Sequence, residues 1–143
     1  MKTIFRILII MALLYGGLRL HARMTEKSID EPLPADAGTA LRTGVFVSKD
    51  GSHESRGKIT LYDNGESKLL RFEEFYVTNG FGLRVYFVRD GMIASSTVSI
   101  ARLKGNSGNQ NYEIPKEMDV ANLDTVLVYS KVLRTLFSAA TLK

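Results

Sequence analysis

The chain has 143 residues, of which 45% are hydrophobic and 24% are charged, and this is the size and balance of one folded domain. It has no cysteine and only two histidines, which excludes disulfides, thiolate metal sites and a cysteine nucleophile and argues against a multi-histidine metal site. The formal net charge is +4, but the chain beyond the first 22 residues is nearly neutral. It lacks the concentrated basic stripe that nucleic-acid binding needs.

The N-terminal segment, residues 1–22, has the pattern of a signal peptide or signal anchor. Lys2 and Arg6 precede an uncharged, mostly apolar run over residues 7–18, as in a secretory signal. A signal peptidase needs a small residue at the third position before its cut, and a cut after Ala22 would place the large Leu20 there. This favours an uncleaved anchor, with a cleaved signal peptide as the alternative. The positive charges would stay in the cytoplasm, so we expect the rest of the chain to be periplasmic or extracellular, either membrane-anchored or secreted.

Residues 23–43 are predicted to form a linker, because Pro32, Pro34 and Gly38 interrupt a polar stretch without periodicity. From residue 44 to 143 apolar and polar residues alternate in short runs separated by turn residues, which is typical of strands. Eight strands are predicted, at 44–48, 56–62, 68–73, 83–89, 97–103, 111–114, 125–133 and 136–142.

Turns and the near absence of helix complete this pattern. Asp63 to Glu66 has the composition of a hairpin turn, and only residues 116–123, with Asp119 as the cap, are candidates for a helical turn. The sequence therefore predicts an all-β domain, an antiparallel β-sandwich or barrel-like fold.

The run from Leu103 to Pro115, Leu-Lys-Gly-Asn-Ser-Gly-Asn-Gln-Asn-Tyr-Glu-Ile-Pro, resembles the signature of the DM13 domain family. Other stretches are similar to the same family: Gly44-Val45-Phe46, His53 with Gly57, Phe75 to Gly80 followed by Leu83, and Asp119 with residues 126–142. This resemblance covers nearly all of residues 44–142. It implies a β-sandwich on extracytoplasmic or membrane-associated proteins, with a role in electron transfer.

The chain departs from the family pattern at two places. Ser130 stands where the family has a cysteine in its closing strand, and a serine hydroxyl is neither redox-active nor a good ligand for soft metals. Phe81 and Gly82 stand where the family usually has proline and aspartate. Both departures bear on the redox role that the resemblance implies rather than on the fold.

The amide-rich loop over residues 105–111 has the most unusual composition in the chain. Its Gly and Asn residues either satisfy tight turns and hold the loop together, or form a surface that binds a sugar, a peptide or the backbone of a partner. The candidate binding residues are Asn79, Gly80, Asn106, Asn109, Gln110, Asn111 and Tyr112.

Three further residues each have two interpretations. Ser130 is either a small packed residue bonded to a carbonyl or, with His53 as base, a hydrolase nucleophile. His53 is either a solvated loop residue or a ligand residue, such as one axial ligand of haem. Phe81 is either an exposed contact residue or, the favoured interpretation, a plug at one end of the fold.

We assign no catalytic and no metal-binding residue, and we expect no cofactor. The leading hypothesis is a non-catalytic binding or interaction module at the cell envelope. Its expected partners are the membrane, through the N-terminal segment, and an unidentified envelope protein or small ligand, but not nucleic acid. The alternative is a redox accessory protein that uses a bound cofactor, such as haem, in place of the cysteine.

Overall fold

The computed structural model describes residues 1–24 and 26–143, and within the N-terminal helix it describes side chains only up to residue 17. Helix α1 spans Lys2–Met24. The described chain then forms nine strands: β1 Ser28–Asp30, β2 Thr39–Val45, β3 Ser55–Asp63, β4 Lys68–Val77, β5 Leu83–Val88, β6 Ala101–Arg102, β7 Ser107–Ile114, β8 Thr125–Ser130 and β9 Thr135–Thr141.

Helix α1 carries the apolar run predicted as a signal or anchor. Every side chain described in it is exposed. None of the helices formed by the described residues combines the length and apolarity needed to cross a membrane, so a spanning anchor is not confirmed. The choice between an uncleaved anchor and cleavage after Ala22 rests on Leu20 and Ala22, whose side chains lie outside the described residues.

The strands form two sheets, one with the order β1-β7-β4-β3-β2 and one with the order β6-β5-β8-β9. Neighbouring strands are antiparallel except β1, which is parallel to β7. The sheets meet at one edge, where Val47 bridges to Ala139. The described residues thus give a mostly β fold of two separate sheets rather than a closed barrel.

One apolar core lies between the two sheets. Phe46, Phe72 and Phe75 form an aromatic group with ring centroids 4.7 to 5.0 Å apart, a spacing that favours edge-to-face contacts. The second sheet contributes Val85, Phe87, Val126 and Val128 to the same core. Because both sheets bury their inner faces here, the alternation read from the sequence does specify the core.

The outer face of the second sheet is covered as well. Tyr86, Val88, Leu127 and Ala139 form a smaller cluster, against which Ile93 packs. The segment containing Ile93 was predicted to lead into a strand at 97–103, but only Ala101–Arg102 is a strand. The carbonyl of Thr97 instead accepts a hydrogen bond from Lys131 Nζ at 2.9 Å. It therefore bonds to a side chain and not to the backbone of a neighbouring strand.

The predicted linker at 23–43 is wrong as an irregular segment, because it contains the end of α1 and strands β1 and β2. Strand β1 adds to the edge of β7 in register Ser28 to Ser107, and β2 pairs with β3 over Thr39 to Val45. These strands are held by partners far along the chain. No local periodicity could have indicated a three-residue strand such as β1.

Three other boundaries need correction. The loop predicted over residues 105–111 becomes strand β7 from Ser107 onward, and the strand predicted to reach Leu133 ends at Ser130 in a turn. Residues 116–123 form turns and no helix. Asp119 accepts a hydrogen bond from the Ala121 backbone N–H at 2.9 Å, so its carboxylate stabilises a turn where a helix cap was expected.

Candidate functional site

Several strand ends meet at one end of the domain. Strand β4 ends at Val77 and β5 begins at Leu83, so residues 78–82 form a short connection between the two sheets. Ser107 of β7 pairs with Tyr76 of β4, and Ser130 of β8 pairs with Leu83 of β5. Asn79, Gly80, Asn106 and Ser130 therefore lie at this end, whereas Asn111 and Tyr112 pair with Arg71 and Leu70, farther along the sheet.

Asn106 joins the connection between the sheets to the N-terminal part of the chain. Its side-chain Nδ2 donates to Asn79 Oδ1 at 3.2 Å, and its backbone carbonyl accepts from the Val77 N–H at 2.8 Å. Its backbone N–H donates to the Lys27 carbonyl at 2.8 Å. The residue is 6% exposed. Its amide is thus used within the protein, which supports the structural interpretation of this position.

Gln110 and Tyr112 are buried, although both were candidates for a binding surface. Gln110 Nε2 donates to the Gly105 carbonyl at 2.9 Å, and Gln110 Oε1 accepts from the Tyr112 hydroxyl at 2.5 Å. The Tyr112 ring packs against Phe72, with centroids 4.8 Å apart. Burial raises the pKa of Tyr112, so the phenol stays neutral and remains a donor. Neither side chain is available to a ligand in this structure.

Asn111 holds the N-terminal strap, which we define as residues 26–32, against the sheet. Its Nδ2 donates to the Pro32 carbonyl at 2.8 Å, and its backbone N–H donates to Glu31 Oε2 at 2.7 Å. Buried Arg71 donates two hydrogen bonds from Nη1, one to the Glu31 carbonyl at 2.6 Å and one to Asn111 Oδ1 at 3.0 Å. Burial on its own would raise the pKa of the Glu31 carboxyl. The hydrogen bonds from Lys104 Nζ and the Asn111 N–H outweigh the effect of burial, so the pKa of Glu31 is lowered.

Asn109 and Gly108 complete the attachment of the strap. Asn109 Nδ2 donates to Asp30 Oδ1 at 2.8 Å, while Asn109 Oδ1 accepts from the Glu74 N–H at 3.1 Å. Gly108 has φ of 96°, and a Cβ there would lie 1.9 Å from the Ile29 carbonyl oxygen. Only glycine fits this close approach. Much of the amide-rich run thus seats the strap.

Ser130 connects two loops at the same end. It is fully buried, its hydroxyl donates to the Phe81 carbonyl at 2.8 Å, and its oxygen accepts from the Leu133 N–H at 3.1 Å. The interpretation of Ser130 as a packed serine bonded to a carbonyl is confirmed. The hydrogen bonds of the described residues include none between Ser130 and His53, so the structure gives no support to a hydrolase pair.

His53 is fixed by the carboxylate of Asp50. Its Nδ1 lies 2.8 Å from Asp50 Oδ2, and its ring packs on Phe137 with centroids 4.1 Å apart. The same Phe137 ring fills the space beside Gly80, where a Cβ would lie 2.4 Å from Phe137 Cζ. The imidazole is mostly covered, with 19% of the side chain exposed, and so differs from the solvated loop histidine that was expected.

An exposed group that we call the apolar tip consists of Phe81, Val132 and Leu133, which are 72%, 68% and 50% exposed. The Ser130 hydroxyl brings the Phe81 and Leu133 backbones together. Val132 Cγ2 lies 3.5 Å from where a Cβ on Gly82 would stand. The favoured prediction that Phe81 plugs the fold is wrong, since Phe137 occupies the space beside Gly80 and leaves the Phe81 ring outside.

Beside the apolar tip lies a cleft of about 230 Å³, which we call the basic cleft. None of its lining residues is acidic. Lys104 pairs with Glu31 at 2.7 Å, whereas the side chains of Lys27 and Arg102 make no hydrogen bond or ion pair with any described residue. The lining residues are Lys27, Asn79, Gly80, Gly82, Leu83, Arg102, Leu103, Lys104, Gly105 and Asn106.

Sequence reasoning missed the apolar tip residues Val132 and Leu133 and the cleft residues Lys27 and Arg102. Val132 and Leu133 were predicted to belong to the strand at 125–133, where two successive apolar residues are ordinary. No local signal marked the end of the strand, because Lys131-Val132-Leu133-Arg134 follows it with no turn-forming glycine or proline. The described residues contain no group of three or more His, Cys, Asp or Glu that would hold a metal ion.

Comparison with known proteins supports the family resemblance read from the sequence. The family model of DM13, described as electron transfer DM13, matches residues 46–142. No curated protein and no solved structure matches the chain. Because the family match takes in about two thirds of the sequence, the chain belongs to the DM13 family.

Proposed function

We propose that this DM13 domain is a non-catalytic binding module that works outside the cytoplasm at the cell envelope, with the apolar tip and its surrounding loops as the contact surface. The observation that carries the proposal is the exposure of Phe81, Val132 and Leu133 on loops that are fixed by buried Ser130. An apolar group on a rigid support is typical of interaction sites. The polar side chains nearby are used within the fold, as shown by Asn106 and Gln110.

The location outside the cytoplasm rests on the N-terminal segment. Lys2 and Arg6 lie ahead of apolar side chains that the domain does not cover, as in an export signal. Fusion of alkaline phosphatase to the C-terminus tests this, since the reporter needs disulfides that form outside the cytoplasm. We expect an active fusion that becomes inactive when residues 2–22 are deleted. An inactive full-length fusion that is present at a normal level would contradict the location.

Photocrosslinking in the native envelope tests the binding role. A benzophenone amino acid replaces Phe81, and in a matched control it replaces Glu66, which lies in the hairpin at the opposite end of β4. We expect a discrete adduct, with protein or with lipid, from position 81 and none from position 66. Absence of any adduct at position 81 would rule out the apolar tip as a contact surface.

A second candidate function is the redox role in the family description, carried by a bound haem. Asp50 fixes Nδ1 of His53, and Nε2 has no described partner, as in carboxylate–histidine pairs behind metal ligands. Haem would supply one-electron chemistry when bound, and His53 would hold it through Nε2.

An absorption spectrum of the exported full chain, recorded before and after dithionite, tests this candidate. A stoichiometric band that responds to dithionite and disappears in His53→Ala, but not in His21→Ala, would favour redox function. A protein that stays colourless after incubation with haem would exclude it.

A further inference from the structure

We propose that the apolar tip and the cations around it rest on a lipid surface with anionic headgroups. This inference rests on the proposed function, because it names the partner that the same surface would contact. It needs no change in the fold, since the tip residues already face outward.

The first argument is the arrangement of charge around the apolar tip. Lys131 and Arg134 directly flank Val132 and Leu133, and all four residues are exposed. Cations beside apolar side chains are typical of protein segments that enter the headgroup region, where the charges meet lipid phosphates. Lys131 Nζ bonds to the Thr97 carbonyl and lies 5.8 Å from the centre of the Tyr86 ring, so its charge is held on the outer face of the second sheet.

The second argument is the scarcity of free acidic groups at this end. The basic cleft adds Lys27 and Arg102 and contains no carboxylate. The nearby acids Asp50 and Glu54 are paired with His53 at 2.8 Å and with Arg56 at 2.7 Å. The exposed carboxylate of Glu26, next to Lys27, accepts a hydrogen bond from the Tyr76 hydroxyl at 3.2 Å and has no cationic partner among the described residues. An anionic surface would therefore meet four cations, Lys27, Arg102, Lys131 and Arg134, against this carboxylate.

The third argument is the place where the chain enters the domain. Lys27 lines the basic cleft, and it follows shortly after helix α1, which ends at Met24. If the apolar N-terminal segment holds the protein at a membrane, so short a connection brings this end of the domain to the bilayer. The hairpin containing Glu66 lies at the other end.

The size of the apolar tip also favours lipid over protein. A stable protein interface covers roughly 800 Å² on each partner and takes about 20–30 residues. Three apolar side chains between cations are fewer than such an interface needs, whereas loops that enter a lipid surface use a few residues of this kind.

Depth-dependent quenching on vesicles tests the proposal with the full chain. Because the chain has no cysteine, Val132→Cys provides a unique site for a fluorophore, and Glu66→Cys provides the matched control. The vesicles contain a nitroxide-labelled lipid in either phosphatidylglycerol with phosphatidylcholine or phosphatidylcholine alone. We expect strong quenching at position 132 on the anionic vesicles, weaker quenching on the neutral ones, and little at position 66.

A charge variant separates lipid contact from attachment through the N-terminal segment. Lys131→Gln with Arg134→Gln should reduce quenching at position 132 on anionic vesicles several-fold, while the protein still sediments with them. Sedimentation with equal, weak quenching at positions 132 and 66 would overturn the proposal and leave membrane attachment intact. A protein adduct in place of a lipid adduct at position 81 would also overturn it, while supporting the broader binding role.

Discussion

At the scale of single residues, the hydroxyl of Ser130 ties the loop containing Phe81 to the turn containing Leu133. Ser130→Ala leaves both backbone groups without this partner, so we expect the free energy of unfolding to fall by about 1–3 kcal/mol. Chemical denaturation measures the loss, and Ser96→Ala, at an exposed serine with no described partner, is the control. Unchanged amide exchange at Leu133 in Ser130→Ala would contradict the role assigned to the hydroxyl.

Asp50 provides a residue-scale prediction about pH. The hydrogen bond with the His53 side chain lowers the pKa of Asp50 to about 2, from 3.8. Since the pKa is lower in the folded protein, the stabilisation is complete above about pH 3.8 and is lost as the pH falls through about 2. Denaturation across this window should therefore show a weaker pH dependence in Asp50→Asn than in the unaltered protein. Asp36→Asn, at an exposed carboxylate, is the matched control, and an equal effect of both substitutions would contradict the prediction.

At the scale of elements, the fit of β1 on β7 depends on Gly108. Gly108→Ala places a methyl group 1.9 Å from the Ile29 carbonyl oxygen at a backbone φ of 96°, so the strap must shift or detach. We expect a loss of more than about 1 kcal/mol in unfolding free energy and faster amide exchange in residues 28–30. Gly51→Ala is the control, because a Cβ there meets nothing within 4 Å. If both variants behave alike, the strap does not need the glycine.

The same element shows what could and could not be predicted from the sequence. Strands β3, β5 and β9 follow from local alternation, and the packed Ser130 follows from its apolar neighbours. The role of Asn109 and Asn111 does not, because glycine and asparagine in a row are typical of a turn and their partners lie about 80 residues away. Likewise, nothing local distinguishes exposed Val132 from a residue of the preceding buried strand. The difference lies in where the strand ends, which tertiary pairing decides.

At the scale of the whole molecule, the strap raises the question of where the folded unit begins. The family match starts at residue 46, yet Asn106, Asn111 and Arg71 all bond to the strap. We expect a chain of residues 39–143 to be less stable than one of residues 26–143 by about 2–4 kcal/mol, because several hydrogen bonds of roughly 1 kcal/mol each are lost. Denaturation midpoints at similar slopes measure this difference.

A double-mutant cycle shows whether these contacts cause the difference between the two chains. Asn111→Ala removes the bond to the Pro32 carbonyl only where residues 26–38 are present. It should therefore destabilise the longer chain more than the shorter one, and the excess is the coupling between the residue and the strap. Equal losses, together with equal midpoints of the two parent chains, would mean that the strap lies on the sheet without stabilising it. The composition of the amide-rich run would then need its other explanation, which is an external ligand.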